Sequence, residues 1–228
     1  MDITESYKIS DVLRKSSRTS TVFHNYGIDF CCGGEDTLKQ ACEKSGALLT
    51  HLLADLRKEL KTQCSTLEQH PEHPDVSNLA LPELVDHIYQ YHHSYLYANL
   101  PRISYLFQKV KNVHGNKHSY LNSAADMFNK LHEELIQHLE LEERTVFPQL
   151  EFGDYTKADV ESIQTDHYEV GELLDVLRKT MHDYEPPEGA CVSFKILLEK
   201  LKTMERNIFD HVSEEQSLLF PAALNRAQ

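Results

Sequence analysis

The chain has 228 residues and a formal charge of −13, with its 14 His counted as neutral. No basic stretch offsets that acid, which argues against nucleic acid as the main partner. No apolar run reaches the roughly 18 residues that a membrane-spanning helix needs, so no membrane partner is expected. The first residues, Met1 to Ser6, lack the basic and apolar blocks of a signal peptide, and a cytoplasmic location is expected. Five Cys without zinc-finger or CxxC spacing read as free thiols. Gly and Pro are sparse, at eight each, and the acidic, Leu-rich stretches are long, so the composition indicates an all-α protein.

In chain order, residues 1–62 form a first compositional unit. A short amphipathic helix is predicted from Ile9, with Ser10 as its cap. A second holds Thr19 to Tyr26 and ends at Gly27, which suits a left-handed C-terminal position. Ile28 to Gly34 reads as a loop carrying Cys31 and Cys32, followed by a helix opening near Glu35 and another over about Ala47 to Leu60. Residues 63–78 read as a linker, with Pro71 and Pro74 and almost no apolar content. His70 and His73 there are taken as solvated.

Residues 79–228 hold four long helical patterns. The first runs from Leu81 to about His114, with Pro82 at an N1-like position and Pro101 expected to kink it. The second runs from about Tyr120 to Phe147 and stops near Pro148. The third runs from Lys157 to about Tyr184, and the fourth from about Ala190 to Phe220. Each spans about 40–50 Å at 1.5 Å per residue. Short connections make the expected fold an antiparallel up-down-up-down four-helix bundle, preceded by the small helical N-terminal domain.

One motif occurs twice. His138 is followed by Glu142, Phe147 and Pro148, and His211 by Glu215, Phe220 and Pro221, at the same offsets, 73 residues apart. A four-residue step puts imidazole and carboxylate on one helix face, which makes a metal half-site. A single such step arises by chance in so His-rich a chain, but a duplicate with the same Phe-Pro tail does not. The preceding helix of each copy carries a further His: His92, 46 residues before His138, and His167, 44 before His211. The predicted site therefore has His92, His138, His167 and His211 as terminal ligands and Glu142 and Glu215 as bridges. His93 is the alternative to His92. His87, His132 and His182 have no repeat partner and read as structural or solvated. Four imidazoles with two carboxylates suit iron, manganese or zinc.

At these residues, over about 80–225, the chain resembles the hemerythrin-like family, whose members hold an oxo-bridged di-iron site in a four-helix bundle. Hemerythrins proper carry a fifth His on the third helix, where this chain has Gly171. That departure implies a more open and labile site than an oxygen carrier needs. Gly27 to Gly34, with the adjacent Cys31 and Cys32, is similar to the double-cysteine signature of the Repair of Iron Centers family. Both halves stand in the family's order. The resemblance implies repair of iron–sulfur clusters damaged by nitric oxide or oxidants. It also implies two iron ions in an oxo- or hydroxo-bridged centre on His92, His138, Glu142, His167, His211 and Glu215.

Damaged iron–sulfur proteins would be the clients, nitric oxide or oxygen the small ligands, and an unidentified reductant a further partner; a homodimer is left open. Glu134, one turn before His138, and Asp166, next to His167, are candidate outer-sphere carboxylates or an exit path for iron. Cys31 and Cys32, placed before a helix N-terminus, are candidate redox, nitrosyl or iron-carrying thiols. Iron donation is the leading reading and leaves enzyme status open. The alternatives are nitric oxide reduction at the di-iron site with electrons from the two Cys, and a non-catalytic oxygen or nitric oxide sensor.

Overall fold

The computed structural model describes residues 3–31, 33–62, 74–153 and 155–226. Among these the regular elements are helices, as expected for an all-α protein: α1 (Ile9–Leu13), α2 (Thr19–Asn25), α3 (Leu38–Ser45), α4 (Leu49–Thr62), α5 (Leu81–His87), α6 (Ser94–His114), α7 (Tyr120–Leu141), α8 (Phe147–Phe152), α9 (Lys157–Thr180), α10 (Val192–Glu214) and α11 (Phe220–Arg226). Three π-helical turns interrupt them, at Ile88–His93, Glu142–Val146 and Glu215–Leu219. No helix among the described residues is long and apolar enough to cross a membrane.

Packing divides the chain into two units, 1–85 with 209–228 and 86–208. In the first, Ile9, Leu13, Phe23, Phe30, Leu38, Leu52 and Leu56 are fully buried and form one apolar cluster. Phe209, on α10, joins it, and its ring meets that of Phe30 edge-on with centroids 6.0 Å apart. Asp75, from the expected linker, is tied to the same unit by the Ser16 hydroxyl, which donates to it at 2.6 Å. The packing units therefore follow side-chain burial and cut across the compositional boundaries.

Two local expectations are corrected here. Lys8, in an extended conformation, precedes the first turn of α1, while Ser10 lies inside the helix with its N–H on the Gly34 carbonyl at 3.0 Å. The helix after the Cys pair starts at Leu38, capped by Thr37 in a reciprocal capping box with Gln40. Gly27 does take the left-handed φ of 62° that ends α2.

The second unit is the bundle. Helix α7 packs on α6 and on α9. Helix α10 meets α6 through Lys200, which donates to Asn99 at 3.0 Å, and meets α9 through Glu205, 3.6 Å from Arg178. Each helix buries a stripe at alternating three- and four-residue steps, as a core-facing helix must. On α6 the stripe is Leu96, Leu100, Ile103, Phe107 and Val110, and on α7 it includes Leu121, Phe128, Leu131 and Leu135. Helix α6 runs through Pro101 as one element, and the break in its α-helical pattern lies upstream, at Ile88–His93. Nor does helix end at Pro148. The π turn Glu142–Val146 resets the hydrogen-bond pattern, and Pro148 then sits in the first turn of α8, where a missing N–H costs no bond. Pro221 stands in the same place in α11 after the second π turn.

Candidate metal centre

The core stripes deliver polar residues. On α7, Leu131 and Leu135 are followed at the same steps by His138 and then Glu142. On α10, Leu201, Met204 and Ile208 lead to His211 and Glu215. On α9, Ile163 leads to His167 and then Val170. The apolar periodicity of these helices thus carries the imidazoles and carboxylates onto their buried faces. Glu142 and Glu215 are fully buried, and His138, His167 and His211 nearly so.

Within the bundle unit, three imidazole nitrogens converge on one carboxylate. His138 Nε2 lies 3.0 Å and His167 Nε2 3.8 Å from Glu142 Oε1, whereas His93 Nε2 lies 3.3 Å from Glu142 Oε2. The Nε2 atoms of His138 and His167 face each other at 3.1 Å, with their rings crossed at 71°. Each oxygen of Glu142 thus faces its own set of nitrogens, the disposition a carboxylate needs to bridge two ions. The second copy repeats the half-site, with His211 Nε2 3.1 Å from Glu215 Oε1.

Burial alone would push the Glu142 carboxyl up. The charge and hydrogen bond of His138, with hydrogen bonds from His167 and His93, outweigh that and hold it well below the usual carboxylate range. An anion kept ionised in an apolar interior must be matched by cations or hydrogen-bond donors. His138, Glu142 and His167 each offer a ligand atom within 4.8 Å of the others, as do His93 with Glu142 and His211 with Glu215. Nitrogen donors around a buried carboxylate fit iron, one of the metals that the donor set read from the sequence suits.

The first helix is where the structure adds most. His93 is fully buried and reaches Glu142, while the ring of His92 meets His87, with centroids 5.6 Å apart. The π turn is the physical reason. Counting back along α6 from Leu96 by three gives His93, and the step from His93 to the buried Ile88 is five residues, the period of a π turn. A uniform α-helical count cannot place it. Phe147, the Phe of the duplicated motif, stacks on His93 with centroids 5.4 Å apart, so it is core and site wall at once.

Glu134 and Asp166 both line a cavity of about 570 Å³ between α7 and α9 that has His138 in its wall. Asp166 Oδ2 is 3.9 Å from His138 Nδ1. Gly171 lies on α9, partly buried. Cys31 is buried, and both its N–H and its thiol donate to Asp29 Oδ1, at 3.2 and 3.3 Å. A carboxylate, rather than a helix N-terminus, is therefore its neighbour. Gly33 packs so tightly on the Asp29 carbonyl that a Cβ would lie 2.4 Å from it, which explains the glycine after the Cys pair. Cys32, Cys64, His70 and His73 lie outside the described residues.

The hemerythrin HHE cation binding domain matches residues 84–223, and ScdA_N, a domain of unknown function, matches residues 5–60. The chain is 30% identical to the iron-sulfur cluster repair protein YtfE of Enterobacter sp. (strain 638) over 223 residues, 95% of this chain and 96% of the relative. It is 31% identical to the proteins of that name from Escherichia coli O8 (strain IAI1) and Shigella boydii serotype 4 (strain Sb227), over 91% of both chains in each case. With its bundle of buried His and Glu preceded by the small helical segment, the chain belongs to the hemerythrin HHE family and, over nearly its whole length, to the family of the YtfE iron-sulfur cluster repair proteins.

Proposed function

We propose that this protein repairs damaged iron–sulfur clusters by supplying iron from a di-iron centre. Its terminal ligands in this reading are His93, His138, His167 and His211, and Glu142 and Glu215 bridge. His93 takes the place first given to His92; it stands 45 residues before His138, against 44 for His167 and His211, so the repeat accommodates it. The observation that carries the reading is Glu142, buried, ionised and flanked by imidazole nitrogens on both oxygens. The duplicated motif extends the same arrangement to Glu215.

Bound iron supplies one-electron chemistry and a transferable ion. The residues do the rest. Neutral imidazoles offer Nε2 lone pairs, and the two carboxylates balance much of the metal charge in an interior that excludes water. Gly171 adds no donor where hemerythrins proper have a fifth His, which leaves the set less saturated and suits release over storage. Glu134 and Asp166 give the cavity beside His138 an acidic wall along which a cation can pass. Iron–sulfur proteins damaged by nitric oxide or oxidants are the clients in this reading.

The test is anaerobic transfer. Reduced di-iron protein, mixed with an iron–sulfur enzyme whose cluster has been damaged by nitric oxide, is expected to restore its activity better than free ferrous iron at equal concentration. Equal or faster recovery with free iron would contradict the proposal.

A further inference from the structure

The His93 ring is held on several sides. Phe147 stacks on it at 27°, and Tyr89 lies at a tilt with centroids 6.3 Å away. Its two nitrogens face two different carboxylates: Nε2 is 3.3 Å from Glu142, and Nδ1 is 2.9 Å from Glu143 Oε1. Glu143 in turn hydrogen-bonds the phenol of Tyr97, one helical turn after His93 on α6. Burial first, then the charge and hydrogen bond of Glu143, push that phenol up to about 12, so at neutral pH it keeps its proton and donates. The His93 ring thus lies between two carboxylates: Nδ1 faces Glu143, which also engages Tyr97, and Nε2 faces Glu142 on the side where an ion would be held.

We infer that Glu143, braced by Tyr97, is a positioning residue that fixes the tautomer and orientation of His93 for metal binding. The inference rests on the reading of His93 as a ligand. A carboxylate on the outer nitrogen of a ligating His locks the ring and makes its other nitrogen a better donor, and losing such a partner typically weakens metal binding by about 10–100-fold. The adjacent residues Glu142 and Glu143 have separate tasks, one facing the metal and one behind the ligand. In the second copy the residue after Glu215 is Gln216, which carries no charge. On His138 the nearest comparable contact, Asp166 to Nδ1, is 3.9 Å long, beyond hydrogen-bond reach.

The test loads wild-type, Glu143→Gln, Glu143→Leu, Tyr97→Phe and His93→Ala proteins with ⁵⁷Fe. It measures iron release to a ferrous chelator together with the Mössbauer spectrum, with helix content as the control for folding. Glu143→Leu is expected to release iron about 10–100-fold faster and to alter one of two iron signals. Glu143→Gln should fall between it and wild type, and Tyr97→Phe should show the smallest change. If Glu143→Leu does not fold, Glu143→Gln decides. Wild-type release and spectrum in the folded Glu143 variants would overturn the inference while His93→Ala still lost iron. Retention of both irons by His93→Ala would instead overturn the ligand reading beneath it.

Discussion

The two copies of the His-x3-Glu unit agree in their inner geometry and differ in what surrounds it. His138 and Glu142 stand 3.0 Å apart and His211 and Glu215 3.1 Å, each pair leads into a π turn, and each turn gives way to a helix that opens with Phe and Pro. Outside that, the copies diverge. In the first, Glu143 and Phe147 both serve His93 within the bundle unit. In the second, Phe209, two residues before His211, packs into the N-terminal core on Phe30, and the π turn Glu215–Leu219 packs against α1. Ligand geometry is the part of the repeat that the chemistry constrains. The flanking positions have been free to take up different neighbours, one set inside the bundle and one tied to the small N-terminal segment.

Removing a carboxylate should have the largest effect, and the same one in either copy. Glu142→Leu and Glu215→Leu are each expected to abolish tight iron binding. The metal-free variants should fold but melt below wild type, because removing one partner of a buried ionic cluster commonly costs about 3–5 kcal/mol. Metal analysis paired with calorimetry checks both halves of that statement. A lower iron content accompanied by a collapsed fold would mean the carboxylates are structural.

Next come changes that should separate the copies. Phe30→Ala removes a fully buried ring from the cluster that holds Phe209 and should cost about 3–5 kcal/mol. Amide exchange should then rise in the N-terminal segment and around His211, but not around His138. Phe147→Ala should cost a similar amount and loosen His93 instead. Equal exchange changes around both copies in either variant would erase the distinction.

Acid acts on the two copies together. The Glu142 carboxyl is held low in the folded state, so in the acid range the unfolded chain binds more protons than the folded one. Its stabilising contribution is complete above the ordinary carboxylate range and is lost as pH falls through the folded value. Iron should leave earlier in the same titration, because an imidazole must give up its proton to bind metal and ordinarily regains it at about pH 6.5. Following iron absorbance and helix content against pH should give two separate transitions, iron first. The smallest effect should come from Thr156→Ala, which breaks the capping box of α9 and should cost about 0.5–2 kcal/mol without changing iron content.

Much of this was legible in the sequence because a bundle core and a buried site obey one periodicity. Leu131, Leu135, His138 and Glu142 share a stripe, so pattern and ligand spacing reinforce each other. The differences from expectation lie where the backbone leaves the α-helical count. The five-residue step from Ile88 to His93 shifts the first-helix face by one position, and both Pro148 and Pro221 lie inside continuing helical chain because a π turn precedes them. The packing of Phe209 on Phe30 joins residues some 180 positions apart in sequence, a pairing that no local pattern records. The buried contact of Cys31 with Asp29 was equally out of reach, since it depends on the fold of one tight loop.

The central claim is that one buried carboxylate joins two irons. Iron stoichiometry of wild-type and Glu142→Leu proteins, loaded under the same conditions and scored by metal analysis with Mössbauer spectroscopy, tests it directly. The account predicts two irons per chain in a coupled pair for the wild type, and loss of the pair as a unit in the variant. A Glu142→Leu protein that loses a single iron and holds the other as tightly as before would contradict it.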